Sequence, residues 1–107
     1  MSKTIRFSMA LAVMILMAGV VGFAQSSGEA VYKAHCQSCH GAAGVPNPGI
    51  AKMMGVKPAT DPAMKKLSAA QMIAATKDGK GKMKPFAGKL ADAQIKGSVD
   101  YFRTFVK

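Results

Sequence analysis

Apolar positions along the chain form one long unbroken run, followed by short stretches of helical period separated by glycine and proline. The run comes first. Met9 to Val21 carries no charge, lies behind Lys3 and Arg6, and is followed by Gly22-Phe23-Ala24. Small residues at the first and third of those places fit a signal peptidase site, so residues 1–24 are expected to be a cleaved leader and residues 25–107 one domain. The competing reading is an uncleaved anchor facing the periplasm, because Phe7 to Ala24 is an apolar stretch of 18 residues, near the lower limit for spanning a bilayer.

The other end of the chain has the clearest periodicity. Ile95, Val99, Phe102 and Val106 are spaced four, three and four apart, which is one face of a helix, and Tyr101 and Phe105 widen it. Asp92 near its start and Arg103 and Lys107 near its end agree with the helix dipole. Behind the leader, Glu29 to Ala34 has helix-forming composition, with Ser26 or Ser27 available as a cap. Gly41 to Gly49 favours turns, and Ile50 to Val56 reads as a short helix stopped by Pro58. Asp61-Pro62 is an N-cap followed by a first-turn proline, opening a segment through Leu67. Ser68 and Gln71 match a capping box at the head of a compact helix ending near Asp78-Gly79. Val31, Tyr32, Leu67, Met72 and Ile73 are expected core residues. No strand pattern of any length occurs, so the fold is expected to be all-α.

Charge narrows the partners. The 107 residues have a formal net charge of +10; Lys3 and Arg6 lie in the leader, so +8 belongs to the remaining 83 residues, which hold all five acids. A domain that small has a marginal core of its own. An export signal, and no aromatic residues among the lysines, argue against nucleic acid.

The chemistry is concentrated in Cys36-Gln37-Ser38-Cys39-His40. On a helical turn, positions three and four apart share a face, so both thiols and the imidazole are presented to one flat ligand. This spacing reads as covalent attachment of one haem, with Cys36 and Cys39 forming thioethers and His40 coordinating iron. A thioredoxin-like dithiol would sit in a βαβ pattern, which this chain lacks. A structural zinc site needs four ligands, and the only other histidine is His35, beside Cys36. A disulfide here would close a very short loop and constrain the unfolded chain little. The second ring nitrogen of His40 would need an acceptor, for which a carbonyl between Pro46 and Pro48 is the candidate; those prolines alternatively only stiffen a turn.

A sixth iron ligand is expected from the stretch 79–89, Gly-Lys-Gly-Lys-Met-Lys-Pro-Phe-Ala-Gly-Lys. Of the five methionines beyond the leader, Met53, Met54, Met64 and Met72 read as core filler. Met83, alone in a basic, glycine-rich loop, is the candidate ligand.

In this order of features the chain resembles the class I c-type cytochromes: the Cys-x-x-Cys-His behind an N-terminal helix, Met83 in a glycine-rich loop with Phe86 after it, and a C-terminal amphipathic helix bearing Tyr101. The resemblance implies three to five helices wrapped around one haem c, thioethers at Cys36 and Cys39, and axial ligation by His40 and Met83. It also implies crossed terminal helices, with Gly28 and Tyr32 meeting the region from Val99 to Phe102. Many relatives have proline directly after the methionine; here Lys84 intervenes before Pro85.

Two firm ligands leave iron no open position, so the expected function is single-electron transfer in the periplasm rather than enzymatic chemistry. Lys77, Lys80, Lys82, Lys84 and Lys89 suggest docking to acidic-faced redox proteins, an electron donor and a terminal oxidase or reductase. A monomer without stable membrane insertion is expected once the leader is removed. The alternatives are a haem subunit of a membrane-associated oxidoreductase complex, and a haem sensor or enzyme whose sixth ligand is displaced.

Overall fold

A computed structural model describes residues 27–107. The expected leader, residues 1–24, and Ser26 lie outside the described residues. Six helical segments follow in order: α1 (Ser27–His35), α2 (Gln37–His40), α3 (Pro48–Met54), α4 (Pro62–Lys65), α5 (Ala69–Asp78) and α6 (Asp92–Arg103). Two of the six, α2 and α4, are single turns of four residues. Among the described residues there is no strand, only isolated bridges at Lys80–Met83 and Ala87–Leu90.

Local chemistry sets most of the boundaries. At α5 the Ser68 hydroxyl accepts from the Gln71 backbone N–H (3.1 Å) while the Gln71 side chain accepts from the Ser68 N–H (2.8 Å), a complete capping box. Asp61 caps α4 by accepting from the Ala63 N–H at 2.8 Å, but the helix ends at Lys65, short of Leu67. α3 starts earlier than the apolar pattern indicated. Asn47 accepts from the Gly49 N–H, Pro48 takes the first turn, and left-handed Gly55 ends the helix ahead of Pro58.

The terminal helices α1 and α6 make the largest contact in the fold, and α5 packs against α6. Their crossing is fixed by two glycines. A Cβ at Gly28 would fall 2.5 Å from the Gly97 carbonyl oxygen, so the backbones touch with no room for a side chain. Gly28 therefore meets α6 at Gly97, ahead of the span from Val99 to Phe102, whereas Tyr32 does reach that span. Its ring centroid lies 5.1 Å from that of Tyr101 and 6.3 Å from that of Phe102.

The core is small. Val31, Leu90 and Ile95 form its centre, with Ile73 and Phe86 packed against it. Met72, Ala59 and Val99 are also buried, while Leu67 is only half-buried. The hydroxyls of buried Thr76 and Ser98 are satisfied within their own helices, Thr76 donating to the Met72 carbonyl and Ser98 to that of Ile95. Lys77 and Asp92 pair at 3.2 Å, joining the end of α5 to the start of α6.

Candidate haem site

The break between α1 and α2 builds the first half of the site. Cys36 is the hinge: its N–H donates to the Tyr32 carbonyl, closing α1, and its carbonyl accepts from the N–H groups of Cys39 (3.3 Å) and His40 (2.9 Å). Cys36, Cys39 and His40 are thus brought together on one turn. Both cysteines are free thiols and half-buried. Burial pushes the Cys36 thiol above its ordinary pKa, opposed by the Ser98 hydroxyl beside it.

His40 packs edge-on to Phe102 of α6, with ring centroids 5.4 Å apart. Burial holds its pKa below the ordinary imidazole value, which favours the neutral ring that coordinates metals. Its Nδ1 is buried without a hydrogen-bond partner in the chain, so the carbonyl anticipated between Pro46 and Pro48 does not engage it. The turn after His40 is tied down from elsewhere. The Tyr32 hydroxyl donates to the Gly41 carbonyl at 2.6 Å, and Gly44 accepts from the Ala59 N–H at 2.8 Å.

Met83 sits on the loop between α5 and α6, half-buried, away from the Cys36–His40 turn in sequence. The loop folds back as a tight turn in which Lys80 and Met83 exchange both backbone hydrogen bonds, at 3.1 and 3.0 Å. Gly79 lets this turn close, because a Cβ there would lie 2.8 Å from the Met83 carbonyl oxygen and its φ is +78°. Beyond Pro85 the backbone is anchored to α5, with Phe86 donating to the Thr76 carbonyl and Ala87 to that of Lys77. The Phe86 ring approaches the edge of His35, centroids 6.4 Å apart, so the Met83 loop reaches the residue that precedes Cys36.

The other methionines divide differently from expectation. Met72 is buried core and Met54 and Met64 are half-buried, but Met53 is 61 % exposed, so it fills no core. Its backbone carbonyl instead accepts from the Lys82 ammonium at 2.6 Å. Tyr32 is expected as a core residue at the helix crossing, and nothing local signals its bond to Gly41, nine residues away.

Two free thiols and a half-buried imidazole whose Nδ1 has no partner in the chain, all on one turn, fit a group that bonds to sulfur and is coordinated by histidine. The family model described as cytochrome c oxidase, cbb3-type, subunit III matches residues 23–102. The chain belongs to this family and is a small c-type cytochrome. Comparison with curated proteins gives no match. Among solved structures the cytochrome is similar to the KustC0563 c-type cytochrome, with a TM-score of 0.67 and 30% identity, covering 75% of this chain and 98% of that one. The cofactor of a c-type cytochrome is covalently bound haem c, and electron transfer is the usual work of the family. Among the described residues, no helix is long and apolar enough to cross a membrane.

Proposed function

We propose that Cys36 and Cys39 hold the haem by thioethers, that His40 and Met83 are its axial ligands, and that the protein carries single electrons between redox partners in the periplasm. The observation that carries this reading is the Cys36–His40 turn, which brings two free thiols and a half-buried imidazole together. When bound, the haem supplies a one-electron iron couple. The chain's part is to hold both ligands firmly: His40 against Phe102, and Met83 on a turn closed by Gly79 and anchored through Phe86. A histidine opposite a thioether favours ferrous iron, and burial acts in the same direction.

The surface supports a mobile carrier. Lys80, Lys82, Lys84 and Lys89 are exposed on the Met83 loop, and Lys52 and Lys57 are exposed at and beyond the end of α3. The charge of Lys77 is offset by its pairing with Asp92. Such a field steers acidic-faced partners, a donor and a terminal oxidase or reductase, with salt-sensitive association. Large exposed apolar residues among those described are Val45 and Met53, too few for a permanent interface. The proposed leader, residues 1–24, would deliver a monomer to the periplasm. The family model's description as an oxidase subunit favours a second reading, a haem subunit of a membrane-associated oxidoreductase complex.

Carbon monoxide binding to the reduced protein tests the closed site. Slow or negligible binding is expected. Prompt, tight binding would assign the protein to sensing or enzymatic chemistry instead.

A further inference from the structure

The tip of the Met83 loop, residues 80–84, is closed by the paired bonds between Lys80 and Met83, both internal to the tip. Among the described residues, a single hydrogen bond ties this tip to another element. It runs from the Lys82 ammonium to the Met53 carbonyl at 2.6 Å, across 29 positions of sequence. That carbonyl lies in the last turn of α3, where helix carbonyls lack an intrahelical donor and the dipole favours a cation. On its other side the loop is fixed well, by Phe86 packed against the core and the bonds to Thr76 and Lys77. The tip is therefore held at its base by packing and at its crown by one lysine.

We propose that Lys82 is a positioning residue for Met83: its bond to the Met53 carbonyl straps the loop tip to α3 and limits how readily the thioether gives up its place on iron. The proposal rests on the reading of Met83 as the sixth ligand.

An exposed charged hydrogen bond is a modest interaction, so its removal should change ligand exchange by a small factor. The test uses the ferric holoprotein with imidazole as the competing ligand, followed spectrophotometrically, together with amide hydrogen exchange at Met83. Lys82→Gln should raise the apparent affinity for imidazole by about threefold to fivefold and speed exchange of the Met83 amide by a similar factor. Lys84→Gln removes the same charge from the same tip without touching the strap, and should leave both quantities unchanged. Equal behaviour of Lys82→Gln and the unmutated protein would overturn the proposal. An equal shift in both variants would also overturn it, by assigning the effect to net charge. If the unmutated ferric protein lacks the absorption band of methionine sulfur on iron, the ligand reading fails and the strap proposal fails with it. If the band is present and only the imidazole and exchange results are flat, the strap alone is wrong.

Discussion

Replacing Tyr32 by phenylalanine deletes one oxygen from the centre of the fold. The ring contacts with Tyr101, Phe102 and Phe105 are retained, so the loss is confined to the 2.6 Å bond donated to the Gly41 carbonyl. Tyr32 is 1% exposed, so water cannot take the hydroxyl's place from that side. Removing one partner of such a bond costs about 1–3 kcal/mol. Gly41 is itself half-buried and its carbonyl recovers some solvation, which favours the lower part of that range. For a domain of this size, about 1–2 kcal/mol corresponds to a fall in melting temperature of roughly 5–12 °C. The assay is thermal unfolding of the ferric holoprotein by circular dichroism, paired with a denaturant titration in which the midpoint falls and the slope stays constant. A melting temperature within about 2 °C of the unmutated protein would refute the argument that this hydroxyl holds the turn after His40.

The helix crossing gives a prediction of opposite sign to helix propensity: Gly28→Ala should gain about 1 kcal/mol in an open helix, yet here its Cβ would meet the Gly97 backbone at 2.5 Å. A net loss of about 1–3 kcal/mol in denaturant unfolding is expected, and any stabilisation would contradict the crossing geometry. Alkaline pH should act through Tyr32, whose phenol is pushed up by burial from 10.0 to about 12. The folded protein keeps this proton where the unfolded chain has lost it, so the contribution is complete below pH 10 and is lost as pH rises through 12. Unfolding free energies measured across that window should fall more steeply for the unmutated protein than for Tyr32→Phe; equal slopes would remove Tyr32 as the source.

What could be read from the sequence was local. Ser68 with Gln71, and Asp61 with Pro62, write their caps within three residues, and the period of Ile95 and Val99 gives the buried face of α6 directly. The Cys36–His40 turn is equally local, since its spacing alone puts three groups on one side. Asn47-Pro48 carried a helix-start signal of the same kind, hidden within a stretch whose glycine and proline content argued for turns. The remainder depends on the path of the chain through space. The family resemblance anticipates the approach of Gly28 to α6, though at Val99 to Phe102 rather than at Gly97, but no pattern reports that Tyr32 would reach Gly41 or that Phe86 would lie against His35. Met53 is the instructive case. Its residue type points to the core, yet the side chain is exposed and its carbonyl accepts from a lysine 29 positions away.

The most direct test of the account is the absorption spectrum of the ferric holoprotein in the far-red region, where methionine sulfur on iron gives a weak band. The band is expected in the unmutated protein, absent in Met83→Ala and retained in Met53→Ala. A band missing from the unmutated protein, or one that persists without Met83, would contradict it.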